Sequence, residues 1–176
     1  MYVTESTKQH VAYLMQTFLP ISTYAGTINL LPECRSQAGA EQVCALFQRK
    51  LNGRIFGRVG AEKKQLTFLP VIHNREFVDD CHIHFAFGGF PEQLSHFQII
   101  SKCYDAAAHT TGVEVLRKHY LETALVSAKF DAKNADQNTA IWFEKIDGAW
   151  LNYLFGHVMK GQAQSDTILT QYINVR

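Results

Sequence analysis

Two runs decide the fold: Gln65-Leu66-Thr67-Phe68-Leu69-Pro70-Val71-Ile72-His73 and Cys81-His82-Ile83-His84-Phe85-Ala86-Phe87. Between them lies the polar segment Asn74-Arg75-Glu76-Phe77-Val78-Asp79-Asp80. Both runs are short, apolar and rich in β-favouring residues, so the pattern predicts a β-hairpin. Pro70 lacks a backbone N–H and predicts an edge strand or a bulge at its position. Successive side chains of a strand point to opposite faces, which puts His82 and His84 on one face and Ile83 on the other. Pairing of the two strands brings His73 within reach of that pair. Neutral imidazoles are good ligands for divalent cations, and three of them leave open positions for a substrate oxygen and water. Glu76, Asp79 and Asp80 in the turn are alternative third ligands. A His-x-His on its own fits a solvent-facing strand as well.

Working outward, Thr7 to Phe18 carries Val11, Leu14, Met15 and Phe18 at helical spacing, and Pro20 ends the run. A strand follows from Tyr24 to Leu31, stopped by Pro32. From Ala40 to about Phe56 the residues Val43, Phe47, Leu51 and Ile55 make one apolar stripe, with Gln42, Arg49 and Asn52 opposite. Gly57 and Gly60 mark the exit. Beyond the hairpin, Pro91-Glu92 opens a helix with Leu94, Phe97, Ile100 or Ser101, and Tyr104 along one face. The remainder reads as a helix over Val113 to Leu121, a strand near Ala124 to Phe130 and a strand over Thr139 to Ile146. A turn at Asp147-Gly148 and a helix from Ala149 to Lys160 complete it. Antiparallel strands mixed with helices predict an α+β fold, a sheet covered on one or both faces. The whole chain, 1–176, reads as a single domain, with 1–22 a helical N-terminal extension and 162–176 a C-terminal tail.

Composition narrows the classes. A hydrophobic share of 47% and a charged share of 19% exclude a disordered chain. Cys34, Cys44, Cys81 and Cys103 are scattered without a CxxC pair, which argues against a zinc ribbon or a disulfide framework. Met1 to Ile21 does not read as a secretory signal, and no run reaches the roughly 20 apolar residues of a membrane span, so the expected compartment is the cytoplasm. The formal net charge of +1 carries no overall basic signature. Its cations are locally grouped: Arg49, Lys50, Arg54 and Arg58 lie along or just after one helix, followed by Lys63 and Lys64. Such a group contacts phosphates or forms a solvated face.

In the helix over Ala149 to Lys160, Leu151, Leu154, Phe155 and Val158 form an apolar face. Tyr153, His157 and Lys160 fall within roughly 60° of one another on the other side. A tyrosine beside a cation is a candidate nucleophile, since a phenol of ordinary pKa about 10 needs activation. A half-buried amphipathic tyrosine gives the same pattern.

A His-hydrophobic-His strand followed by a helix carrying a tyrosine resembles the motif order of the HUH endonuclease superfamily. The closer likeness is to rolling-circle replication initiators of plasmids and filamentous phages. Arg49-Lys50-Leu51-Asn52 with Phe56-Gly57, Leu69-Pro70-Val71-Ile72-His73, His82-Ile83-His84, Ile141-Trp142-Phe143-Glu144 before Asp147-Gly148, and Trp150-Leu151-Asn152-Tyr153 carry it. Together they extend from about Thr27 to Gly161. The resemblance implies a five-stranded antiparallel sheet flanked by helices, with the histidines on a central strand. It implies Mg²⁺ or Mn²⁺ as cofactor, His82 and His84 as ligands, and His73 where related sequences often carry a Glu or His as third ligand. Tyr153 would be the nucleophile, leaving a 5′-phosphotyrosyl link and a free 3′-hydroxyl. Where the family commonly has Lys three residues after the tyrosine, this chain has Gly156; His157 and Lys160 are the nearest substitutes. The implied partners are single-stranded or hairpin DNA at an origin and a host helicase.

Three classes of function are therefore expected from the sequence. The first is a DNA nicking and joining enzyme, as a replication initiator or as a transposase or relaxase. The second is an HUH-like DNA-binding module without cleavage. The third is a metal-dependent enzyme unrelated to DNA that uses His73, His82 and His84.

Overall fold

β-branched and aromatic residues at alternate positions build the sheet, and a computed structural model shows how its strands are ordered. It describes residues 22–74, 81–113, 141–146 and 167–168, with residues 9, 12–14, 16 and 17. The strands are β1 (Ser22–Asn29), β2 (Thr67–Asn74), β3 (Cys81–Gly88), β4 (Ile141–Lys145) and β5 (Thr167–Ile168). The helices are α1 (Gln37–Lys63) and α2 (His96–Ala108), with a 3₁₀ turn at Pro32–Cys34. The sheet is antiparallel in the order β4-β1-β3-β2-β5, with β5 a two-residue addition at the edge. The expected antiparallel α+β architecture is thus observed. Among the described elements, the chain order β1-α1-β2-β3-α2-β4 with spatial order β4-β1-β3-β2 is a split β-α-β arrangement.

The hairpin forms in the expected register, Val71 opposite His84 and His73 opposite His82. Pro70 does not create a bulge, because β2 and β3 pair without a shift from Thr67 to Asn74. Among the described residues, only β5 lies outside β2, and it pairs with Val71 and Ile72. This near-edge position is where a missing N–H is tolerated.

The two faces of the sheet have different residues because of the pleat. Ile28, Phe68, Ile83, Phe85, Phe87 and Phe143 form one face, and the helices pack on it. Phe47 of α1 lies 5.0 Å from the Phe85 ring and stacks on Phe143 at 5.7 Å, while Tyr104 of α2 meets Phe143 edge-on at 5.2 Å. The other face carries Ala25, Leu69, Val71 and Ala86, all buried, and the histidines.

Several elements differ locally from expectation. Helix α1 begins after Ser36, whose side chain accepts from the Gly39 amide, and does not end at Phe56. The chain breaks at Gly57 (φ 73°, ψ 168°), a conformation open to residues without Cβ, and then resumes helical geometry to Lys63. Helix α2 starts at His96, not at Pro91. Ser95 and Gln98 form a capping box that fixes the start, whereas Pro91 to Leu94 makes a turn. The shifted start turns Ile99, Cys103 and Ala107 inward with Tyr104 and leaves Phe97 exposed. Val113 is not helical but bridges Leu30. The expected helix beyond it, the strand near Ala124 to Phe130 and the helix over Ala149 to Lys160 lie outside the described residues. Among the described residues, no helix is long and apolar enough to cross a membrane.

The link after α2 depends on Gly112. Its carbonyl accepts from the Leu31 amide at 2.9 Å, and its φ is 89°. An added Cβ would lie 2.6 Å from Val43 Cγ2 and 2.7 Å from Cys34 Sγ. Overpacking and left-handed strain add, so Gly112→Ala is expected to destabilise the fold by about 2–4 kcal/mol, read by urea denaturation.

Candidate metal centre

His73, His82 and His84 come together as the alternation of β2 and β3 requires. Each offers one ring nitrogen, and these atoms all lie within 4.8 Å of one another. Ring centroids are 5.1 Å apart for His73 and His82, 5.3 Å for His73 and His84, and 4.6 Å for His82 and His84. His73 and His84 are buried, at 7% and 9% exposure, while His82 is half-buried and forms the more accessible side of the cluster. Three neutral imidazoles on a rigid, largely desolvated face form a donor set suited to a divalent cation. The cluster could hold a metal ion, and its three donors leave coordination positions for other ligands.

A residue that sequence reading missed orients the cluster. Thr27 on β1 lies opposite His84, and its Oγ1 is 2.8 Å from His84 Nδ1. On the other side of the same ring, Nε2 is 3.1 Å from His82 Nε2. When Nδ1–H donates to the Thr27 hydroxyl, the lone pair of Nε2 faces the cluster, which is the tautomer a metal ligand needs. Nothing in the local sequence marks Thr27. It becomes visible only once β1 is known to lie beside β3, 57 positions away in the chain. Thr27→Val is expected to weaken divalent-cation binding by roughly ten- to a hundredfold, with Thr27→Ser retaining it. Calorimetric titration with Mn²⁺ checks both.

Among the described residues, the basic candidates are not brought to this cluster. Arg49, Lys50 and Arg54 belong to the part of α1 that packs on the opposite face of the sheet, and Arg58 follows the break at Gly57. Arg54 pairs with Asp105 of α2, and its carbonyl accepts from Lys102 Nζ at 2.8 Å, so it clips the two helices together. Arg49 and Arg58 are exposed and Lys50 is half-buried. Tyr153, His157 and Lys160, like the alternative ligands Glu76, Asp79 and Asp80, lie outside the described residues.

Cys44 and Cys103 are buried free thiols, and burial pushes both well above the usual thiol range. Neither belongs to the histidine cluster. The chain matches no protein-family model, no curated protein and no solved structure.

Proposed function

We propose that this chain is a metal-dependent endonuclease of the HUH type that nicks and rejoins single-stranded DNA as a rolling-circle replication initiator. The observation that carries the reading is the convergence of His73, His82 and His84 on one face of β2 and β3. The position of β3 in the middle of an antiparallel sheet supports it, as does the ordered set of motifs ending in Trp150-Leu151-Asn152-Tyr153.

When bound, the cation polarises the scissile phosphate. The residues of the chain supply the rest. His73, His82 and His84 hold it, and Thr27 fixes the ring of His84. Tyr153 attacks phosphorus; the bond to the 3′-oxygen breaks as the phosphotyrosyl ester forms. The departing oxygen takes up a proton and leaves as a free 3′-hydroxyl. His157 and Lys160 are assigned to the phenol and phosphate in place of the lysine that Gly156 replaces. Origin DNA, single-stranded or hairpin, is the substrate, and unwinding falls to a host helicase.

Incubation with labelled origin-flanking single-stranded DNA and Mn²⁺ tests the reading on denaturing gels. The expected result is a covalent protein–DNA adduct that is absent in Tyr153→Phe. Persistence of the adduct in that variant would keep the class and move the nucleophile. No adduct, with bound metal confirmed, would defeat the nicking reading. The glycine at 156 favours a second reading in that event, a DNA-binding module that has lost cleavage.

A further inference from the structure

The break at Gly57 does more than end a helix. Ala45 and Ala61 line one cleft, although in a straight helix they would stand about 24 Å apart, so the segment after Gly57 folds back beside the first part of α1. The cleft has a volume of about 210 Å³ and is completed by Gln48, Arg49, Asn52 and Gln65. Asn52 is 5% exposed, and its Oδ1 accepts from the Leu66 amide at 2.8 Å. That backbone donor fixes which end of the carboxamide is oxygen. The Nδ2 group, with two N–H donors, takes no part in that bond, and Asn52 lines the cleft. Arg49 adds a guanidinium that forms no ion pair among the described residues.

We propose that this cleft is a binding site for a purine base that presents two adjacent acceptors, namely guanine through O6 and N7. Asn52 Nδ2 and the Arg49 guanidinium, donors of residues that line the space, match acceptors, and Arg is the usual partner of that guanine edge. The methyl groups of Ala45 and Ala61 give a planar ring apolar walls. A bare phosphate would meet the same donors but leave the apolar walls unfilled. Adenine offers a donor beside N7 and meets donor against donor.

The site is distinct from the histidine cluster. Leu66 and His73 are seven positions apart on one extended run, about 23 Å, and α1 lies on the other face of the sheet. The inference goes beyond the nicking reading and stands without it.

Titration of the full ¹⁵N-labelled chain with dGMP, dAMP and inorganic phosphate tests it. Amides of Ala45, Asn52, Ala61 and Gln65 are expected to shift with dGMP, with dAMP binding at least about tenfold more weakly and phosphate leaving them in place. Asn52→Asp keeps the acceptor for the Leu66 amide and removes both donors. It and Arg49→Gln are expected to lower dGMP affinity about tenfold or more, Arg49→Gln while melting close to the parent chain and Asn52→Asp while melting lower, because its carboxyl group is buried. Equal responses to all three ligands, or none to any, would overturn the proposal. So would full dGMP affinity in folded Arg49→Gln and Asn52→Asp. A thymine oligomer with one guanine that binds more tightly than dGMP would assign the base to a DNA strand; equal affinity would assign it to a free nucleotide. A negative adduct assay would remove the nicking reading and leave these titrations as they are.

Discussion

His84→Ala is expected to abolish tight divalent-cation binding, lowering Mn²⁺ affinity more than roughly a hundredfold. Loss of a partner one shell out already costs ten- to a hundredfold, and this substitution removes a ligand itself. His84 is central to the cluster: its ring meets Thr27 on one side and His82 on the other. The two remaining imidazoles, His73 and His82, would hold a cation through fewer bonds and with no oriented tautomer between them. Two polar groups also lose a partner, so about 1–3 kcal/mol of fold stability is expected to go. A comparison of melting temperatures with and without Mn²⁺ separates the two effects. The parent chain is expected to gain about 2.7 kcal/mol when free cation is a hundred times Kd, and the variant less than about 0.4 kcal/mol at the same concentration. A variant that gained as much as the parent would remove His84 from the ligand set.

Phe47→Ala acts on the other face and has the largest expected effect on stability. Phe47 is fully buried between β3 and β4, with the rings of Phe68, Phe85 and Phe143 at 6.0, 5.0 and 5.7 Å. Truncation removes the common member of all three pairs and leaves a cavity under the middle of the sheet. The expected loss is about 3–5 kcal/mol, out of a total that for a domain is typically about 5–15 kcal/mol. For a chain of this size that lowers the melting temperature by roughly 10–15 °C, measurable by calorimetry. Since the sheet separates Phe47 from the histidines, the folded fraction is expected to bind Mn²⁺ as the parent does. A drop in affinity measured well below the melting transition would show that the two faces are coupled.

The histidine site was legible because it rests on local rules. Period-two alternation and one hairpin register suffice to place His73, His82 and His84 together, and both are written in 65–87. Of the two readings of Pro70, the bulge is absent, while the near-edge position of β2 agrees with the other; which of them applied depended on strand order, a tertiary fact. Helix α2 was misplaced by five residues: proline at a first turn competes with the Ser95–Gln98 capping box, and the box satisfied two amides at once. Thr27 was invisible because its partner lies on a distant strand. The fold-back after Gly57 was equally hidden, since a glycine marks where a helix can break but not the direction the chain then takes.

The sequence distances within the metal centre also set an order of assembly. His73 and His82 are joined by a short connection, and closing such a loop takes far less time than bringing β1 in across 57 positions. The hairpin can therefore present its imidazoles before the hydroxyl of Thr27 arrives. A cation captured at that stage would be held by rings still free to swap tautomers, and β1 would then lock the one that keeps it. Docking of the first strand thus acts as the latch of the centre, so that tight retention of metal reports a finished sheet.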